Sequence, residues 1–266
     1  MKTQKPIERE PIAQPVSTSL IDVVFPGHSN HHGTLFGGAA FALMDRVAFI
    51  SATRFGRVPF VTASCERIDF KWPVRIGQIV EATARPLWAG RKTLTIEVEL
   101  IAENLLGGER RTCTRGLFNM VAAIGQDVPS DWALATLPRR GGYQAREGET
   151  VMTEIVFADQ SNASGNMFGG EAIAAMTKAA FVCATRHCRM PTVVAASDEV
   201  HFHHPVKVGS IIELVAHISR RGNRSMVVAV QLWEEGVLSG KRSMAAESRF
   251  TMVATKVGDA PESLAL

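Results

Sequence analysis

The chain carries one stretch twice, 132 positions apart, and nothing else in it constrains the fold so strongly. Ser29 to Asp45 reads Ser-Asn-His-His-Gly-Thr-Leu-Phe-Gly-Gly-Ala-Ala-Phe-Ala-Leu-Met-Asp. Ser161 to Thr177 reads Ser-Asn-Ala-Ser-Gly-Asn-Met-Phe-Gly-Gly-Glu-Ala-Ile-Ala-Ala-Met-Thr. Asn30, Gly33, Phe36, Gly37, Gly38 and Met44 recur as Asn162, Gly165, Phe168, Gly169, Gly170 and Met176. The same offset relates Pro59 to Pro191, Phe70 to Phe202, Pro73 to Pro205, Gly77 to Gly209, Gly90 to Gly222 and Phe118 to Phe250. Two copies in register indicate duplication and fusion. They predict two like domains packed as a pseudo-two-fold pair, the intramolecular version of an isologous dimer. At one telling position the copies differ in kind: Asp45 faces Thr177.

Each copy reads as a strand, a long helix and then antiparallel strands. Leu20 to Phe25 is a short β-branched strand, broken by Pro26 and Gly27. From Leu35 to Arg54, Phe36, Ala40, Leu43, Met44, Val47 and Ile50 recur at steps of three and four, with few charges between them. Such a helix is apolar on most sides and needs cover, which a curled sheet provides. Gly56 reads as its stop signal. Four strands follow: residues 60–70, 78–88, 93–102 and 110–124. In the third, Leu94, Ile96, Val98 and Leu100 alternate with Thr95, Glu97 and Glu99. Gly107-Gly108 forms the next hairpin, and the last strand reads as bent or bulged. The fold class is α+β. Its expected parts are an N-terminal arm over 1–17, domains over 18–125 and 149–255, a linker over 126–148 in which Trp132 and Leu134 pack on a neighbouring surface, and a tail over 256–266.

Composition narrows the function. A net charge of +3 does not argue for nucleic acid. No apolar run spans a membrane, and the polar N-terminus lacks the apolar core of a secretory signal. Cys65, Cys113, Cys183 and Cys188 form no Cys-x-x-Cys pair, which favours a reducing, cytoplasmic compartment. Two histidine groups, His28, His31, His32 and His201, His203, His204, invite a metal reading. Acidic partners at ligand spacing are missing, so no metal and no cofactor are expected. His31 and His32 instead belong to the loop before the helix.

The pattern Asn-x-x-Gly-x-x-Phe-Gly-Gly followed by Met-Asp resembles the hotdog-fold acyl-CoA thioesterases, and more closely the tandem double-hotdog acyl-CoA hydrolases. The Phe-x-x-Pro-Val-x-x-Gly turns (Phe70 to Gly77, Phe202 to Gly209) and the segments after Gly90 and Gly222 fit as well. The resemblance implies two hotdog domains, each an antiparallel sheet wrapped around a long helix, with active sites between the two helices. It also implies that each site joins a carboxylate from one helix to an Asn and a glycine amide from the opposite hotdog. On this chain the working site would join Asp45 to Asn162, Gly169 and Gly170. The mirror site would join Asn30, Gly37 and Gly38 to Thr177, which lacks the charge to act as base or nucleophile. One working site per chain follows. The resemblance further implies that Arg91, Lys92 and Thr93, with Arg224 and Ser225, approach the phosphates of CoA. The partners implied are an acyl-CoA substrate, CoA as product, and further copies of the chain, as a trimer of double hotdogs.

These residue types suit thioester hydrolysis. Negative charge grows on the carbonyl oxygen during attack, and backbone amides at a helix N-terminus are preorganised donors for it. A carboxylate either activates water or attacks directly, and Asn162 donates to the water or the oxyanion. Two rival readings remain at this stage. A hotdog dehydratase or hydratase needs a His on the helix, where none precedes His187. A non-catalytic acyl-CoA-binding protein would account for the dead half.

Overall fold

The computed structural model describes residues 10–12, 16–123, 133–134 and 143–255. Repeat 1 holds β1 (Glu10–Pro11), β2 (Thr18–Val23), α1 (Gly37–Gly56), β3 (Phe60–Cys65), β4 (Ile79–Ala89), β5 (Thr93–Glu103) and β6 (Arg110–Ala122). Repeat 2 holds β7 (Glu149–Ile155), α2 (Gly169–Cys188), β8 (Thr192–Ser197), β9 (His201–Phe202), β10 (Ile211–Arg221), β11 (Ser225–Glu235) and β12 (Arg242–Ala254). The strands form two antiparallel six-stranded sheets. The first runs β1-β4-β5-β6-β3 with β2 also on β4; the second runs β7-β10-β11-β12-β8 with β9 on β12.

The alternation in β5 works as its sequence predicts. Leu94, Ile96, Val98 and Leu100 are fully buried against α1, beside Met44 and Val47. The bend expected in the last strand is a register shift between Leu100 and Ile101 in the β5–β6 pairing, repeated between Leu232 and Trp233 in β11–β12. The helix ends at Gly56, as its sequence predicts. A Cβ there would lie 2.7 Å from the Phe60 ring and 2.8 Å from Leu134. The left-handed cap is Arg57, at φ 51°. At the N-terminal end Phe36, Phe41 and Ala42 stay exposed, so the sheet covers α1 fully only in its second half. Part of the expected arm is attached: Glu10 and Pro11 pair with Ala89 and Trp88, and Ile12 donates to the Leu87 carbonyl. Leu134 is fully buried in the core of repeat 1; Trp132 and the rest of the expected linker, apart from 133–134 and 143–148, lie outside the described residues.

The repeats meet through β2 and β7, and Ile21, Val23 and Ile79 of repeat 1 join the apolar core of repeat 2. Two arginine clamps then set the pair. Arg54, near the end of α1, reaches Glu213 (2.6 Å) and Glu235 (2.8 Å) of the other sheet, and Arg57 reaches Glu235 at 2.6 Å. In mirror image, Arg186 reaches Glu81 (3.0 Å) and Glu103 (2.7 Å), and Arg189 reaches Glu103 at 2.7 Å. Glu81 lies near the start of β4 and Glu213 near the start of β10, beside the chain that leads from β2 or β7 toward a helix N-terminus. Each helix therefore ends where the other begins, and the two run antiparallel. The left-handed backbone of Arg57 and Arg189 costs about 1 kcal/mol each. Their ion pairs to buried carboxylates hold it in place.

Candidate active site

Asp45 sits half-buried on the middle turns of α1. Its Oδ1 accepts a hydrogen bond from Thr62 Oγ1 of β3 at 2.6 Å. One carboxylate oxygen is thereby fixed, and the other is left for chemistry. Burial, together with the negative charges of Asp45 and Glu66, pushes the neighbouring Cys65 thiol up, so it stays protonated and is a poor nucleophile. Thr62 was not singled out from sequence. Its signal was there: the position 132 further on is Val194, so the pair Asp45–Thr62 becomes Thr177–Val194 in the second repeat.

The two asparagines fold their loops identically. Asn162 Oδ1 accepts from the amides of Ser164 (2.9 Å) and Asn166 (3.2 Å). Asn30 Oδ1 accepts from the amides of His32 (2.9 Å) and Thr34 (3.3 Å) and from Thr34 Oγ1 (3.2 Å). These are Asx-type turns. They also orient the carboxamide, because an oxygen held by N–H groups leaves the Nδ2 end to donate outward. Both helices then begin without a side-chain cap, after Phe36 and Phe168. The first helical bonds run from Ala40 to Phe36 and from Ala172 to Phe168, so the Gly37, Gly38, Gly169 and Gly170 amides lack helical partners. A Cβ on Gly170 would meet no neighbouring side chain within 4 Å, whereas one on Gly38 would lie 2.6 Å from the Phe36 ring. Beside Gly169 lies a cavity of about 410 Å³ lined by Met167, Phe202, Val206 and Leu232.

Contacts across the repeat boundary relate these parts. Arg46, the residue after Asp45, lays its guanidinium 5.0 Å from the centroid of the Phe157 ring. Phe157 opens the short 3-10 turn Ala158–Gln160 that leads to Asn162, as Phe25 opens Pro26–His28 in repeat 1. In the mirror arrangement Lys178, the residue after Thr177, pairs with Asp22 of repeat 1 (3.2 Å) and Glu154 (2.6 Å). The turn that carries Asp45 thus lies against the repeat 2 loop that holds Asn162. Among the described residues no direct bond joins Asp45 to Asn162, Gly169 or Gly170.

Arg91, Lys92 and Thr93 form the β4–β5 hairpin and Arg224 and Ser225 the β10–β11 hairpin, closed by bonds from Gly90 N to Thr93 O and from Gly222 N to Ser225 O. Each hairpin lies at the C-terminal end of its own helix. Because the helices are antiparallel, that is the end at which the other helix starts. The two histidine groups do not form a ligand set: His203 faces Glu247 and His204 faces Glu234, both at 3.4 Å, and the His31 and His32 rings lie 3.9 Å apart, tilted by 45°. Among the described residues no three His, Cys, Asp or Glu side chains come together as a metal site would require.

The profile of the Thioesterase superfamily matches this chain twice, over residues 32–108 and 164–241. The chain belongs to the thioesterase superfamily. Both matched segments of this superfamily member run from the Asn loop, through the long helix, to the hairpin before the last strand. A solved acyl-CoA hydrolase from Agrobacterium tumefaciens is 53% identical, with a TM-score of 0.82, covering 92% of this chain and 98% of its own. Mouse acyl-coenzyme A thioesterase 11 is 25% identical over 84% of this chain, which spans only 44% of that relative's length. The rat cytosolic acyl coenzyme A thioester hydrolase is 23% identical over 87% of this chain and 72% of its own. The double-hotdog α+β fold that the resemblance implies is the fold observed. Among the described residues no helix is long and apolar enough to cross a membrane.

Proposed function

We propose that the chain hydrolyses acyl-CoA to the free acid and CoA, at one site per chain built from both repeats. The carrying observation is the Asp45 carboxylate, held at 2.6 Å by Thr62 beside the repeat 2 loop, where the matching pair is Thr177 and Val194. With Oδ1 fixed, Oδ2 takes a proton from water or attacks the thioester carbon itself. The Gly169 and Gly170 amides receive the oxyanion, and Asn162 Nδ2 donates to the water or to that oxygen. Collapse of the intermediate breaks the C–S bond, and the CoA thiolate takes up a proton, the one Asp45 removed from water in the first route; in the second, water then hydrolyses the acyl–Asp45 anhydride to the free acid. The apolar cavity beside Gly169 suits the acyl chain, and Arg91, Lys92, Thr93, Arg224 and Ser225 suit the phosphates of CoA. Asn30, Gly37, Gly38 and Thr177 make the mirror half, which lacks the acid.

The chain acts as a homo-oligomer, a trimer of double hotdogs. Edge strands β3 and β8 are exposed along most of their length, with Val61, Val194, Phe70, Trp72 and Phe202 open beside them. Exposed edges and apolar patches of this kind call for a partner surface. A cytoplasmic setting agrees with the rat relative's name. The deciding experiment is thiol release across an acyl-CoA panel. Asp45→Asn lowers it by about 10²-fold or more, and Thr177→Ala leaves it nearly intact. Release that is unchanged in Asp45→Asn removes that residue's role, and no release from any acyl-CoA sinks the hydrolase reading.

A further inference from the structure

The half of the molecule that lacks the acid is not collapsed. Under Thr177 lies a cavity of about 610 Å³, within the range of small-molecule pockets. Phe25, Ala174, Phe181 and Val194 make its apolar wall, and the Lys178 and Glu154 ion pair stands at its polar side. It crosses the repeat boundary: Phe25 belongs to the repeat 1 loop that continues to Asn30 and Gly37-Gly38. In repeat 1 the hollow lined by Asp22, Ala39, Ala42 and Arg46 measures about 200 Å³ and does not reach Asp45 or Thr62. The sequence accounts for the larger space. Leu43 and Phe60 of repeat 1 are matched by Ala175 and Thr192, and both small residues line the cavity.

What the second half has lost and what it has kept fall into different classes. Only the acid and its hydroxyl partner are gone, as Thr177 and Val194. Asn30 keeps the Asx turn that aims its Nδ2 outward, and Gly37 and Gly38 keep an uncapped helix start, with the exposed Phe36 ring beside Gly38. The cavity opens to solvent past Phe25, Ala174 and Val194, so a ligand can enter it. Ala175 and Thr192 widen it where Leu43 and Phe60 would intrude. Replacing a polar pair by Thr and Val also makes the wall more apolar, which favours an acyl chain and removes the means to cleave it.

We propose that the Thr177 cavity is a second acyl-CoA site that holds the acyl thioester without hydrolysing it. This rests on the hydrolase reading for the kind of ligand, and on the cavity itself for its place. The test is calorimetric titration of the full-length protein with S-alkyl-CoA thioethers, from butyl to hexadecyl, which cannot be hydrolysed. The expected result is two thioethers per chain in the native protein and one in Ala174→Trp, whose indole fills the cavity from its exposed rim; Ala42→Trp is the matched substitution in repeat 1. One thioether per chain in the native protein, retained in Ala174→Trp, overturns the proposal, and the retained ligand itself shows that the variant is folded. Two per chain in both proteins overturns the location. A free fatty acid that fills the site as tightly as the thioether overturns the thioester as occupant. If the native protein releases no thiol from any acyl-CoA, yet binds a thioether that Ala174→Trp abolishes and Ala42→Trp does not, the hydrolase reading fails and the second site stands.

Discussion

Arg54→Met should separate the contribution of the clamps from that of the apolar core. The Arg54 side chain is 4% exposed, and its partners Glu213 and Glu235 are 1% and 3% exposed. Met keeps most of the volume and removes the charge. Neither carboxylate is orphaned, because Glu213 keeps Arg242 at 2.8 Å and the Tyr143 amide at 3.0 Å, and Glu235 keeps Arg57 at 2.6 Å. The loss therefore falls at the low end for breaking a buried pair, about 3 kcal/mol. For a chain of this size that is a fall in melting temperature of about 6–12 °C. Arg186→Met is the internal control. Arg186 is 20% exposed, and Glu103 retains both Arg110 and Arg189. Its loss should be about half as large. Urea unfolding followed by tryptophan fluorescence reads both, and Trp233, with the Arg242 guanidinium 4.1 Å from its ring centroid, reports from beside the Arg54 clamp. Adding Glu213→Gln and Glu235→Gln to Arg54→Met should deepen the loss, because Arg242 and Arg57 then lose their carboxylates. A cost below about 1 kcal/mol for Arg54→Met, or a larger cost for Arg186→Met, would refute the assignment of the pairing energy to buried charge.

Further predictions concern the site and its pH range. Thr62→Val frees the Asp45 carboxylate from its fixed orientation; kcat for thiol release should fall about tenfold, with KM changed far less, because the lost interaction orients the reacting group. An equal fall in binding would instead place Thr62 on the ligand. Thr177→Asp with Val194→Thr rebuilds the missing pair; placed in an Asp45→Asn background it should restore thiol release, and a rebuilt pair that stays silent argues that the second half lacks more than its acid. Burial pushes the Glu103 carboxyl up, but bonds and charge from Arg186, Arg189 and Arg110 outweigh that and hold it below the usual carboxylate range. Its stabilising contribution is thus present above about pH 4 and is lost as pH falls through the lower folded value. Glu103→Gln should flatten that acid limb in pH-dependent denaturation, and an unchanged limb would assign it to other groups.

The sequence reached far into this molecule because its main signal is an internal comparison. The offset of 132 located both domains' elements, and the mismatch of Asp45 with Thr177 singled out one helix position. Periodicity then predicted which face of β5 is buried. Local pattern was weaker where tertiary contact overrides it. Gly56 ends the helix as read, but what needs a glycine there is the close approach of Phe60 and Leu134, and an arginine takes the left-handed cap, held by Glu235 across the interface.

By itself, then, the sequence determined the duplication, the strand–helix–sheet order of each copy, the superfamily and the loss of one acid, since all of these are written as spacing between residues of the same chain. Only the tertiary structure decided what each residue meets. It paired Asp45 with Thr62, set the neighbouring Arg46 on Phe157 of the other repeat, crossed each helix end with two glutamates of the opposite sheet, and left the Thr177 half hollow. The physical reason is separation along the chain. Charged partners such as Arg54 and Glu213 carry no periodicity that links them, and the volume of a cavity depends on side chains from both repeats at once.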